Sequence, residues 1–445
     1  MSMSNNENNE IRDSFTSKTG FILACIGSAV GMGNIWLFPY RVGQFGGAAF
    51  LIPYIIFIVL LGYTGLMGEF AFGRMTQTGP IGSFKKALET KNKNWGGFLG
   101  IIPVVGAFGI AVGYAVVVGW FLRFLGGFIT GSAMSAADSG AYFGELASPF
   151  GSIIWHLLAL ILVSIVLISG ISKGIETMNK IMMPAFYILF VIAMVRVFML
   201  DGAFEGIKYL VVPKWFSLME PKTWIYALGQ AFFSLSLAGS GMIVYGSYLK
   251  RDVDIMSSAK NTVIFDTLGA FLAGLVIIPA VFAFNLDPAS GPPLLFITIP
   301  SVFKLMPFGR LFGVIFFISV LFASITSLMN LLEVPIEAVQ STFKLKRKLS
   351  VFIVVGAAFI FGLFAEDGNN LGVLMDFVSI YIIPIGAFIA AVMFFWVIGI
   401  EKAKCEIECG TDKKLGKLFE ISAKYVFVFL TIFVFIAGIL LGGIG

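Results

Sequence analysis

The chain of 445 residues has one histidine, three cysteines and only 12% charged side chains. Each scarcity removes a class of function. There is no G-x-x-x-x-G-K-[ST] run to cradle nucleotide phosphates, no H-E-x-x-H pair for zinc and no nucleophile elbow. Neither an ATP-driven motor nor a hydrolase is written here, so uphill work must draw on an ion gradient. The lone histidine, His156, lies in an apolar run, where a packed or interfacial role is expected ahead of a proton relay. Cys25 lies in the first apolar run. Cys405 and Cys409 share a basic loop that is expected to face a reducing compartment, so no disulfide is expected. Their C-x-x-x-C spacing without a nearby histidine is a poor metal site. The polar N-terminus, MSMSNNENNEIRDSFTSK, lacks the basic start and early apolar stretch of a signal peptide, so the first span is expected to be retained.

What is abundant is apolar surface. Hydrophobic residues make up 58% of the chain and the mean hydropathy is +0.95, a composition of polytopic membrane proteins. The apolar runs are continuous and do not alternate, which excludes a β-barrel. Eleven helical spans are predicted, at 19–43, 48–73, 98–128, 151–170, 176–200, 223–248, 260–284, 310–342, 349–365, 372–400 and 423–443. Most of the 30 Lys and Arg fall on one side of this arrangement, including Lys85, Lys86, Lys344, Lys346, Arg347, Lys413 and Lys414. That side is expected to be cytoplasmic, with the N-terminus, and the odd span count puts the C-terminus outside. The net charge of +5 follows from this bias and calls for no nucleic-acid partner. The expected setting is the cell's inner (plasma) membrane, with the lipid bilayer as partner and a monomer or weak dimer as the state.

The expected organisation is a cytoplasmic tail (1–18), a first five-helix repeat (19–200), an outer linker (201–222), a second repeat (223–400), a cytoplasmic loop (401–422) and an eleventh helix (423–445). An odd number of spans per repeat inverts the second half, a plan of many secondary transporters. The loop from Asn285 to Arg310 carries an apolar stretch, Leu294 to Val302, too short to span and too apolar for water. It is expected to dip into the outer vestibule as a lid.

Two spans are broken. The first reads Gly27-Ser28-Ala29-Val30-Gly31-Met32-Gly33-Asn34, and the sixth reads Ser234-Leu235-Ser236-Leu237-Ala238-Gly239-Ser240-Gly241. Each glycine costs a helix about 1 kcal/mol relative to alanine. Unwound backbone at membrane depth is tolerated only where protein or a cavity satisfies it. Its carbonyls can bind a cation, and the next half-helix N-terminus can hold a carboxylate. Paired interruptions in matching halves point to a transporter's substrate site. Gly27-x-x-x-Gly31 equally fits a small-residue packing face. Glu69, Asp266, Glu333, Glu337 and Asp376 are carboxylates inside spans, each a functional candidate or a structural hydrogen-bonding group. The hydroxyls of Ser324, Thr326 and Ser327 can serve a cation or bond back to their own helix.

These residues resemble a known family. The run from Gly27 to Tyr40, GSAVGMGNIWLFPY, is similar to the first-span signature of the neurotransmitter:sodium symporters. The likeness continues through Gly46 to Tyr54 (GGAAFLIPY), Gly170 to Glu176 (GISKGIE), Gly229 to Leu237 (GQAFFSLSL) and Tyr245 to Tyr248 (YGSY). The resemblance implies the all-α LeuT fold, with two inverted five-helix repeats whose first and sixth helices unwind. It also implies Na⁺-coupled amino-acid uptake in the bacterial eleven-span branch, with two Na⁺ ions and no enzymatic activity. By position it implies a first sodium site of the Ala29 carbonyl, Asn34, Ser234 and Asp266, and a second of the Gly27, Val30 and Ala323 carbonyls with Thr326 and Ser327. The substrate carboxylate would meet the Met32 and Gly33 amides and Tyr114. Its amino group would meet Ala29, Phe233, Ser234 and Ser236. The side chain would lie among Ser28, Ile110, Phe233, Gly239, Ser327 and Leu331.

Departures from the family pattern carry expectations of their own. Leu37 replaces the usual outer-gate arginine, which leaves its acid, Asp376, without that partner. At the inner gate Arg12 and Tyr248 are present, but Ser341 takes the place of the acid, so Glu337 is the expected substitute. Asp266 stands where the family more often has asparagine, next to a region where animal members bind Cl⁻. Its fixed charge is expected to do the work of Cl⁻ and make transport Cl⁻-independent. Gly239 and Ser28 are expected to deepen the pocket for a large neutral side chain, tyrosine or tryptophan first. Three other functions would use the same residues: proton-coupled transport with Asp266 titrating, amino-acid sensing without transport, and membrane-embedded catalysis. For the last, no set of nucleophile, base and metal is visible.

Overall fold

In a computed structural model of the chain, residues 13–288 and 294–444 are described. Among them every regular element is a helix. Eight helices are long and apolar enough to cross a membrane singly: Ala48–Thr76, Gly96–Thr130, Ile171–Phe198, Ile255–Ala283, Gly309–Phe343, Arg347–Phe364, Gly368–Ile407 and Lys417–Leu441. A ninth crossing is the pair Lys18–Ala29 and Gly33–Gln44, bent by 51° at its break. The other two predicted spans are helical but short or interrupted. One is Ile153–Ile168; the other divides into Pro221–Ser234 and Gly241–Ser247. In chain order these elements are spans one to eleven.

Both breaks form where glycine and small polar residues replace helix formers. In span one the helix stops at Val30, whose backbone is extended (φ −72°, ψ 104°). In span six Ser236 and Gly239 take positive φ, 53° and 65°, the left-handed region that ends helices. Spans three and eight, 35 residues each, pack against one another, and span one lies against spans five, seven and eight. Peripheral spans four, nine and eleven turn Ile165, Phe352, Phe361 and Phe429 outward, as a bilayer requires.

The linker between the halves folds into two short helices, Ala203–Val211 and Trp215–Met219. Tyr209 donates to the Gly43 carbonyl at 2.8 Å, which ties the linker to the end of span one. The expected lid is also helical, as Leu294–Thr298 and Ile299–Leu305. Its Phe296 is fully buried and stacks on Phe121 and Phe143 at 5.0 and 4.8 Å. Gly291, Pro292 and Pro293 lie outside the described residues.

His156 is packed and paired. Its Nδ1 lies 3.0 Å from Glu366 Oε1, with both side chains fully buried. The other Glu366 oxygen accepts from the Ser152 amide at 2.9 Å and from the Ser152 hydroxyl, which also accepts from Trp120 Nε1 at 3.1 Å. This knot fastens spans three and four to the segment after span nine. Removing one member of a buried pair strands the other, at about 3–5 kcal/mol. Glu366→Ala is therefore expected to lower the thermal unfolding midpoint of the detergent-purified protein sharply, and Glu366→Gln, which keeps an acceptor, much less. Equal midpoints for both variants and wild type would deny the knot a structural role.

Candidate functional site

The two breaks meet at the centre of the molecule. Ser236 donates to the Ser28 carbonyl at 3.1 Å, and Ser327 of span eight donates to the same oxygen at 3.2 Å. Gln230 Nε2 donates to the Gly33 carbonyl at 2.8 Å. Glu69 of span two reaches across, and its Oε1 accepts from the Gly239 amide at 2.9 Å. A carboxylate thus caps the second half of span six where the helix dipole favours negative charge. Backbone groups released by unwinding are re-satisfied by side chains from neighbouring spans.

Between the breaks is a pocket whose empty space, with the open solvent at its mouth included, is about 630 Å³. Of the residues expected to receive substrate, Ser28, Ala29, Met32, Gly33, Ile110, Tyr114, Phe233, Ser236, Ser327 and Leu331 line it. The Met32 amide donates to the Tyr114 hydroxyl oxygen at 3.0 Å. The lining holds no Asp, Glu, Lys, Arg or His. Sequence reasoning missed Ala107, Ser240, Asn330 and Ile383, which line it as well. Asn330 was the most visible of these, an amide in an otherwise apolar stretch of span eight.

One expected lining residue, Gly239, is placed elsewhere. Gly239 faces span ten: an added Cβ would meet the Gly386 carbonyl oxygen at 2.5 Å and Ala390 Cβ at 2.8 Å. Its absent side chain makes room for span ten and does not deepen the pocket. The Ser234 side chain turns away from the pocket and donates to Asp266 Oδ2 at 2.8 Å.

Three residues expected at the first sodium site come together. Asn34 Nδ2 lies 2.8 Å from Asp266 Oδ1 and 3.2 Å from Ser234 Oγ, and all three residues are buried. The Asn34 oxygen accepts from the Gly31 amide at 3.2 Å. Tyr54 approaches Ser234 at 3.5 Å. These ligand types, carboxylate, amide and hydroxyl, are oxygen donors of the kind a hard cation takes. In the second group the Thr326 hydroxyl donates to the Phe322 and Ala323 carbonyls at 3.0 and 2.9 Å. Gly27 packs on Thr326, since an added Cβ would sit 2.9 Å from Thr326 Cβ.

The expected inner-gate pairing of Arg12 with Glu337 reaches beyond the described residues, and the other gate residues are placed within them. The Tyr248 hydroxyl donates to Glu333 Oε1 at 2.8 Å, not to Glu337. Arg347 grips both Glu333 oxygens, at 2.9 and 2.7 Å, and also donates to the Leu167 carbonyl at 2.6 Å. Glu337, a turn later, accepts from Thr78 at 3.3 Å. Arg12 lies outside the described residues. Toward the other end Asp376 is exposed and is in no ion pair among the described residues; Leu37 is half-buried.

With this geometry in hand, the comparisons with known proteins are specific. A family model, the sodium:neurotransmitter symporter family, matches residues 12–134 and 143–441. The chain is 36% identical over 432 residues to an uncharacterized sodium-dependent transporter of Bacillus subtilis, covering 94% of each. It is 32% identical over 466 residues to an uncharacterized sodium-dependent transporter of Methanocaldococcus jannaschii, covering 98% of this chain and 92% of that one. The crystal structure of MhsT in complex with L-phenylalanine is similar with a TM-score of 0.87 at 34% identity, over 96% of this chain and 99% of that one. The LeuT fold implied by the family resemblance is the fold observed. The chain belongs to the sodium:neurotransmitter symporter family, a family of transporters and not of enzymes.

Proposed function

We propose that this symporter couples the inward movement of two Na⁺ ions to uptake of one large neutral L-amino acid, aromatic by preference, without Cl⁻. The observation that carries the proposal is a pocket without Asp, Glu, Lys, Arg or His in its lining, placed between two unwound helices, several of whose backbone groups are met by named side chains. An uncharged lining disfavours a charged substrate side chain, which would be buried unpaired. Ile110, Phe233, Leu331 and Ile383 supply apolar contact, while Ser28, Ser240 and Asn330 give polar atoms for a hydroxyl or indole N–H. The likeness to MhsT, solved with L-phenylalanine, supports the aromatic preference. In this proposal the amino-acid carboxylate takes the Met32 amide and the Tyr114 hydroxyl and completes the first sodium shell with Asn34, Ser234 and Asp266. Ion and substrate then bind as one unit, which is what coupling needs. The Tyr248–Glu333–Arg347 cluster, at the end that carries the basic loops, is the proposed cytoplasmic closure.

The energetics suffice. One ion crossing 100 mV supplies about 2.3 kcal/mol, and a tenfold concentration ratio adds about 1.4 kcal/mol. Two ions supply about 7 kcal/mol, roughly 10⁵-fold accumulation of a zwitterion. In proteoliposomes, uptake of labelled tyrosine should vanish when Na⁺ is replaced by choline at fixed pH, and reversal potentials should give a ratio of two. Undiminished uptake without Na⁺ would support proton coupling instead.

Asp266 gives a separate test. Its carboxyl is held by neutral donors, Asn34 and Ser234, so in this proposal the cation beside it is what keeps it ionised. Wild-type uptake is expected to be indifferent to replacement of Cl⁻ by gluconate. Asp266→Asn should be inactive or newly Cl⁻-dependent. A Cl⁻ requirement in the wild type would refute the assignment.

Pocket size is tested at Ala107, which lines the cavity, against Gly239, which does not. Ala107→Leu should weaken tyrosine relative to alanine uptake by about tenfold or more, the scale of added methylenes in an apolar pocket. Gly239→Phe should instead impair every substrate alike, because the side chain would collide with Gly386 and Ala390 from a left-handed backbone. Selective loss of aromatic uptake in Gly239→Phe would reverse this assignment.

A further inference from the structure

Asn179, on span five, belongs to no group discussed so far. It is fully buried. Its Nδ2 donates to the Ile175 carbonyl one turn back at 2.8 Å. That bond fixes which way the amide faces, since the opposite assignment would set oxygen against oxygen. The other end, Oδ1, has no hydrogen-bond partner. It points at Gly27, the last glycine before span one unwinds: a Cβ added there would sit 2.0 Å from Asn179 Oδ1 and 3.1 Å from Thr326 Oγ1. Spans one, five and eight therefore bring an amide oxygen and a hydroxyl oxygen to one spot. The spot is short of donors. The Thr326 proton is committed to the Phe322 and Ala323 carbonyls, and Gly27 has no side chain. A buried acceptor left unsatisfied costs about 1–3 kcal/mol, so a partner that donates no proton but carries positive charge fits best. Neutral oxygens without a carboxylate suit a hard ion of single charge.

We propose that Asn179 is an additional ligand of the second sodium site, with its amide oxygen joining the Gly27, Val30 and Ala323 carbonyls and the Thr326 and Ser327 hydroxyls. This rests on the two-ion proposal above. Span five then binds the same ion as spans one and eight, and occupancy of that ion fixes the three helices relative to one another. Gly27 is required because any side chain there would fill the gap between amide oxygen and ion.

The test reads ion binding and not transport. The purified protein in nanodiscs is titrated with Na⁺ in a choline background, with the shift of the thermal unfolding midpoint and bound ²²Na⁺ recorded together. Asn179→Leu is expected to raise the half-saturating Na⁺ concentration tenfold or more. Asn179→Asp, which keeps the oxygen and adds charge, should lower it. A merely structural asparagine would shift the unfolding midpoint equally at every Na⁺ concentration and leave half-saturation unchanged; that result overturns the proposal. If Asn179→Leu fails to fold, Asn179→Asp decides alone, and an unaltered half-saturation counts against the proposal. Thr326→Val separates the two levels. A shift in Thr326→Val without one in either Asn179 variant leaves the second site standing and removes Asn179 from it. No shift in any of the three removes the site itself.

Discussion

Backbone released from a helix inside a bilayer has no water to turn to, and this structure is organised around meeting that demand. Spans one and six each open for several residues, and neighbouring spans supply the missing partners. Glu69 reaches from span two to the Gly239 amide. Gln230 meets the Gly33 carbonyl. Ser236 and Ser327 converge on the Ser28 carbonyl. The partners come from spans two, six and eight, so the breaks hold only when these spans have assembled. Because protein groups already satisfy most of the unwound backbone, the few that face the pocket are left for a ligand. Position and chemistry of the proposed site follow from one accounting of donors and acceptors.

Charge placement follows the same logic. The partners of the interior carboxylates differ in kind. Glu333 has a full guanidinium, Arg347, with Tyr248 as a third member; such a pair is stable only while its members stay together, which suits a closure that must also open. Glu69 has backbone amide at a helix start, a fixed partner. Asp266 has only neutral donors, Asn34 and Ser234. Neither Glu69 nor Asp266 faces a cationic side chain among the described residues, and of the two Asp266 is the one hydrogen-bonded to Asn34 of the first-span break. An arriving cation therefore has the most to offer at Asp266 and the least at Glu333.

The sequence made the breaks legible because glycine and polar residues cannot hide in an apolar run, and the motif around Gly27 extended that to a family. It could not show which way a side chain turns once the backbone leaves the helix. Gly239 illustrates this. In the chain it follows Ala238 and precedes Ser240, both of which line the pocket, yet its own φ of 65° turns its open side to span ten. Glu333 and Glu337 illustrate a second limit. They are one helical turn apart on the same face, and no local signal separates them. What sets their surroundings apart is Arg347, fourteen residues on, which the fold swings back onto Glu333, while Glu337 accepts from Thr78. Asn330 was visible as a polar residue among apolar ones, but its place in the pocket depends on Gly241 approaching closely enough that a Cβ there would meet its oxygen at 2.0 Å.

The small residues of span one show why two readings of the same pattern need not compete. A Gly-x-x-x-Gly spacing means close helix packing as readily as it means unwinding. Here an added Cβ at Gly20 would strike Glu176 Oε1, at Gly27 Asn179 Oδ1, and at Gly31 the Tyr114 hydroxyl, all within 2.5 Å. What packs against each glycine is a polar atom, not an aliphatic side chain. The stripe brings span one close to its neighbours and in doing so brings their oxygens to its backbone. Close packing is thus the means by which the break becomes a binding site. A single methyl group at Gly27 or Gly31 would hold the oxygens away from the backbone that is proposed to share an ion or a substrate with them. The constraint on these positions is one of distance, and the chemistry of the site depends on that distance being kept.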